Sequence, residues 1–150
     1  MNDVNPSPLT ASVVFRLGTL GSVVTARFTE ALAVLGLKPK HVGLMVALES
    51  GAPPSQLELA RTMAVAPSLV VSLADHLERI GALDRVRDPA DRRRQVLALT
   101  DAGRALLADC TALAHRLDAE LTASLDGPER EALRRVLGVL GAEAGLPTRD

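Results

Sequence analysis

Six arginines lie between residues 79 and 94, at positions 79, 85, 87, 92, 93 and 94. Asp84, Asp88 and Asp91 share the segment, so it carries +3 in a chain of formal net charge −1, and the remainder sums to −4. A guanidinium is a rigid fork of donors that suits phosphate and other anions. A short basic segment on an otherwise acidic chain therefore predicts a local anion-binding surface. Arg92, Arg93 and Arg94 follow Asp91 directly. That aspartate is a poor partner for an anion, but it can orient an arginine through charge-assisted hydrogen bonds. Taken alone, the run fits a solvated loop equally well, so the elements that carry it decide its meaning.

Other chemistry is sparse. His41, His76 and His115 are too scattered for a metal-ligand motif, and neither a metal nor a cofactor is expected. Nucleophile elbow, phosphate loop and paired catalytic carboxylates are absent, which argues against an enzyme. The single cysteine, Cys110, permits no internal disulfide and agrees with a reducing compartment. No apolar run is long enough to span a bilayer, and Met1–Thr10 lacks a basic-then-apolar signal pattern. A cytoplasmic protein without membrane contact is expected.

Hydrophobic residues make up 47% of the 150 residues and aromatics only 1%, so the core must be aliphatic. Ala and Leu favour helices. Val13, Leu17, Leu20, Val24, Phe28, Ala31 and Leu35 recur at helical steps and predict one long helix from about Pro8 to Leu35, stopped by Gly36. Pro39 opens a second helix to about Glu49, ended by Ser50-Gly51. Ser55 and Glu58 form a capping box for a short third helix to about Met63. Pro67 opens a fourth, with Val70, Leu73, Ala74, Leu77 and Ile80 inward and Gly81 closing it. Two short helices joined by a tight connection are the helix-turn-helix pattern.

Leu83–Arg87 and Gln95–Leu99 are short enough for strands, and Asp88-Pro89 between them favours a turn. The arginine run is thus expected at the tip of a β-hairpin. Thr100 caps a fifth helix to about Leu125, with Leu106, Cys110, Leu113, Leu117 and Leu121 as its seam. Asp126-Gly127-Pro128 breaks the chain before a sixth helix to about Ala144, with Leu133, Val136, Leu137 and Leu140 on one side. The first, fifth and sixth helices carry apolar stripes with little local partner. Packing two chains together would bury them, so a homodimer is expected.

The stretch from Pro54 to Leu107 resembles the MarR family of bacterial transcription regulators. Gln56-Leu57-Glu58-Leu59-Ala60, Leu77-Glu78-Arg79-Ile80-Gly81 and the run Arg87-Asp88-Pro89-Ala90-Asp91-Arg92-Arg93-Arg94 carry the likeness, with Leu99-Thr100 and Gly103 after it. The resemblance, with the helix order, covers nearly the whole chain. It implies a mainly α, winged helix-turn-helix fold of six helices and a two- to three-stranded wing. Residues 1–150 form one domain on this reading, with 8–35 and 101–146 as dimerisation helices and 39–100 as the winged lobe. The chain departs from the family pattern at Ala66, Val71 and Ser72, where polar residues, Thr and Arg are common. Its fourth helix is correspondingly less polar.

The expected function is a sequence-specific DNA-binding repressor on an inverted-repeat operator of double-stranded DNA. The fourth helix would enter the major groove, with Pro67, Ser68, Leu69, Val71, Ser72 and His76 off its buried stripe. Serines can meet phosphate or base edges, and Leu69 or Val71 a thymine methyl group. At the wing, Arg93 is the choice for the minor groove, Asp91 its orienter, and Arg85, Arg87, Arg92 and Arg94 phosphate clamps. The resemblance also implies a small-molecule effector, aromatic, phenolic or carboxylate. Arg16, among Val13, Val14, Phe15, Leu17 and Leu20, is its candidate anchor, with His41 as a further donor. The alternatives are a redox-responsive or ligand-independent regulator of the same fold, or a dimeric protein-binding adaptor. Cys110 on an apolar seam fits an inert small hydrophobe better than a sensor.

Overall fold

A computed structural model describes residues 8–49 and 55–146. The chain divides into two compact units, Met1–Pro39 and Lys40–Asp150. The expected helix stop at Ser50-Gly51 lies outside the described residues.

The first unit is built on α1, Val13–Leu32, flanked by short 3-10 turns at Leu9–Ala11 and Ala33–Leu35. It is therefore not the continuous helix from Pro8 that the apolar spacing predicts. Ser12 interrupts it: its hydroxyl accepts the N–H of Phe15, and its extended backbone starts the helix afresh. At the far end Gly36 adopts φ +67° while the Leu37 N–H reaches back to the Leu32 carbonyl at 3.2 Å. That left-handed closure is where glycine costs least. Leu32 and Leu37 are buried, but Val13, Val14, Phe15, Leu17, Leu20 and Val23 remain exposed.

The second unit contains all of α2 (Pro39–Glu49) but its first residue, with α3 (Gln56–Thr62), α4 (Pro67–Arg79), β1 (Leu83–Arg87), β2 (Gln95–Leu99), α5 (Asp101–Leu121) and α6 (Gly127–Glu143). Its core is aliphatic, as the composition requires: Leu44, Met45, Leu59, Val70, Leu77, Leu83 and Leu97 are almost fully enclosed. The Ser55–Glu58 capping box forms at α3, and the Ser55 hydroxyl and N–H hold the Glu58 carboxyl below its ordinary pKa. Asp126 and Glu129 make a second capping box at α6, where the sequence had suggested only a break.

The α5 seam differs from expectation. Gly103, Leu107 and Cys110 are its buried positions, whereas Leu106 is half-buried. The helix ends at Leu121 rather than near Leu125. α6 buries no residue, and Leu133, Val136, Leu137 and Leu140 are exposed. Among the described residues no single helix is long and apolar enough to cross a membrane.

Candidate nucleic-acid interface

The chain turns by 108° between α3 and α4. The connection contains Ala64 at φ +51°, a left-handed position that a residue with a Cβ seldom adopts. Its geometry is a helix closure, with Val65 N–H on the Ala60 carbonyl at 2.9 Å. Angle and connection are those of a helix-turn-helix.

On α4, Val70, Leu73, Ala74 and Leu77 face the core. Pro67, Ser68, Val71 and Ser72 are exposed, and Leu69 is half-buried. Of the six residues expected to face outward here, His76 departs most. Its ring stacks on that of His41, with centroids 4.5 Å apart and planes 27° from parallel. His41 is 8% exposed, so this contact lies at the inner side of α4. Read from the sequence, the two histidines have different roles, one with DNA and one with an effector, and the fold brings them together.

β1 and β2 pair antiparallel, from Leu83 opposite Leu99 to Arg87 opposite Gln95, and the sheet has two strands. The intervening loop is folded by its own aspartates. The Asp88 carboxylate accepts the Ala90 N–H at 2.8 Å, and the Asp91 carboxylate accepts the Arg93 N–H at 3.0 Å. The Arg94 N–H donates to the Asp91 carbonyl and the Asp88 N–H to the Arg94 carbonyl, both at 2.9 Å. Asp91 thus orients Arg93 through the main chain, not through its guanidinium. Arg87 donates to the Arg92 carbonyl at 3.0 Å, which ties the strand to the tip. Arg92, Arg93 and Arg94 are exposed.

Arg85 is the exception among the arginines. It donates to the Asp75 carboxylate at 2.5 Å and also to Glu78, both on α4. A guanidinium already shared by two carboxylates is poorly placed to clamp phosphate, as the sequence had suggested it would. It instead braces the wing against α4. The sequence held a signal for this: Asp75 and Glu78 are three apart on one helix face, and β1 follows within a few residues.

A second brace lies at the base of the hairpin. The Thr100 hydroxyl donates to the Gly81 carbonyl at 2.6 Å and accepts the Gly103 N–H at 2.9 Å, while the Thr100 N–H donates to the Ala82 carbonyl at 3.2 Å. Gly81, at φ +77°, closes α4. A Cβ on Gly103 would lie 1.9 Å from the Ala82 carbonyl oxygen, so only glycine lets α5 approach this closely. The Thr-x-x-Gly spacing therefore locks three elements at one point.

Arg16, in the first unit, lies on an open face of α1 with Phe15, Thr19, Leu20 and Val23, and its Nε donates to the Thr10 carbonyl at 3.1 Å. Cys110 is enclosed in the second unit, and burial, with Asp109 beside it, pushes its thiol pKa up. Among the described residues no group of three His, Cys, Asp or Glu could hold a metal ion.

Two short crossed helices, followed by a braced hairpin with three exposed arginines at its tip, define a winged helix-turn-helix protein. The model of the MarR family matches residues 38–94. The HTH-type transcriptional repressor Rv2887 of Mycobacterium tuberculosis is 31% identical over 134 residues, covering 89% of this chain and 96% of that one. The structure of Rv2887 in complex with DNA superposes with TM-score 0.76 at 30% identity, covering 87% of this chain and 98% of that one. Its complex with salicylic acid superposes with TM-score 0.73 at 30% identity, covering 87% and 97%. CouR from Rhodococcus jostii RHA1, bound to p-coumaroyl-CoA, gives TM-score 0.75 at 29% identity, covering 96% and 99%. The chain belongs to the MarR family.

Proposed function

We propose that this protein is a homodimeric transcriptional repressor, not an enzyme, which binds an inverted-repeat operator in the cytoplasm and is released by a small aromatic carboxylate or related anion. One observation carries the DNA-binding part: the exposed N-terminal half of α4 and the exposed Arg92–Arg94 tip belong to one braced unit. α4 supplies an element for the major groove, and the wing tip supplies cations for the adjacent minor groove or phosphates. Related repressors solved with DNA and with aromatic ligands support the reading. Apolar faces left open on α1 and α6 support two copies per functional unit.

Within this scheme Arg93 enters the minor groove, Arg92 and Arg94 clamp phosphate, and Arg85 positions the wing without touching DNA. Arg87 helps hold the tip. Arg16 anchors the effector carboxylate at the open apolar face of α1, whereas His41 is committed to its stack with His76. An effector can act only by binding the DNA-incompetent arrangement more tightly than the competent one. The buried, high-pKa Cys110 thiol favours this over redox control.

The test is a binding titration over a range of salt on the promoter beside the protein's own gene. Arg93→Ala should cost about 1–3 kcal/mol and reduce the salt slope by about one contact. Arg85→Gln should weaken binding while leaving the slope unchanged. Salicylate should lower the affinity of the parent protein but not of Arg16→Ala. Salt-independent binding, or equal slope changes for both arginines, would refute the assignments.

A further inference from the structure

We propose that Val71 reads a thymine through its 5-methyl group, and that this apolar contact supplies the main base discrimination in the major groove of each half-site. The inference rests on the DNA-binding reading above and names the chemistry it would select.

Ser68, Val71, Ser72 and Asp75 stand at i, i+3, i+4 and i+7 on α4, which places them on one face, and all four are exposed. Guanine and adenine are ordinarily read in this groove by long bidentate side chains, Arg or Lys for the first and Asn or Gln for the second. Pro67 to Glu78 contains none of them; the first is Arg79, at the far end of the helix. At about 1.5 Å per residue it sits about 18 Å from the N-terminal turn.

The remaining polar groups are occupied or weakly selective. The Asp75 carboxylate, whose chemistry suits the cytosine amino group, is held by Arg85 at 2.5 Å. His76 stacks on His41. A serine hydroxyl donates and accepts, so it bonds to any base edge and distinguishes little.

That leaves an aliphatic side chain in the middle of the exposed face. Val71 is 39% exposed, so its methyl groups are not consumed by the core. Leu69 is half-buried, turned further toward the core than Val71. The groove feature complementary to a branched aliphatic group is the thymine methyl, because bringing the two together removes both from water. The two flanking serines add hydrogen bonds that fix the depth of the helix without dictating the base.

Duplexes enriched from a randomised pool by the full-length protein supply the probe. Each thymine of the enriched half-site is then replaced in turn by deoxyuridine, which removes only the methyl group. One position per half-site should weaken binding by roughly fourfold, the value of burying about one methyl group. At that position 5-methylcytosine should bind more tightly than cytosine. Val71→Ala should bind the thymine and uracil duplexes equally, and Val71→Thr, which keeps one methyl, should retain part of the preference. Melting curves verify that the variants are folded. A Val71→Ala protein with undiminished thymine preference overturns the inference. So do enriched half-sites that tolerate uracil throughout, although these leave DNA binding standing. A pool that yields no enrichment and no salt-dependent binding removes both readings.

Discussion

The winged lobe and the outer helices solve the problem of apolar surface in opposite ways. In the lobe, α3, α4 and the hairpin close over an aliphatic core, and the Thr100–Gly103 and Arg85 braces fix the parts that would meet DNA. In the outer helices the apolar side chains stay open. α6 buries no residue, and α1 buries only Leu32. A lobe that completes its own core needs no partner to fold. Helices that leave their stripes exposed do, and the difference suggests that recognition is built into each copy while the spacing between recognition helices is built by two.

This contrast can be broken from either side. Leu133 and Leu137 are 39% and 47% exposed, so replacing both with glutamate should leave the lobe folded while dispersing the dimer. Sedimentation should report monomers. Operator affinity should then fall by about 10²–10⁴-fold, the usual gain from linking two binding modules. A variant that stays dimeric would move the interface away from α6.

Gly103→Ala attacks the lobe instead. The added methyl has backbone, not a flexible side chain, 1.9 Å away. The loss of stability should be about 3 kcal/mol or more, read as a lower denaturation midpoint, with the oligomeric state of the folded fraction unchanged. A midpoint equal to that of the parent would mean that α5 can move away from Ala82 freely.

The order and type of the elements were largely legible in the sequence, because glycines, prolines and caps mark most boundaries of the lobe, the end of α3 at Ala64 being an exception. Pro67 and Gly81 bracket α4, and Thr100 starts α5. The apolar stripe of α1 begins at Val13, directly after Ser12, so the helix start lay at that serine cap rather than at Pro8, as its hydrogen bond to Phe15 shows. What was not legible is mostly tertiary. Leu107 rather than Leu106 is the buried leucine because the close approach at Gly103 sets the roll of α5.

At the site, the exposed wing arginines could be located from spacing alone. The commitment of His76 to His41 could not, since its partner lies on another element, and that of Arg85 had only the Asp75 and Glu78 spacing as its signal. Both cases are groups that sequence had offered to DNA and the fold engages within the protein. The outward set on α4 is correspondingly smaller and less polar than the sequence suggested.

If two copies, related by two-fold symmetry, each present α4 and a wing to one face of the duplex, binding must follow the helical phase of the operator. Two half-sites one turn apart, about 10 base pairs centre to centre, should bind one dimer with both halves protected from cleavage. Inserting about 5 base pairs rotates one half-site to the opposite face. Affinity should then collapse to that of a single half-site, and binding should return when a full turn is inserted only to the extent that the dimer can stretch. Equal affinity for the in-phase and half-turn operators would contradict the account, because it would mean that the two lobes act independently.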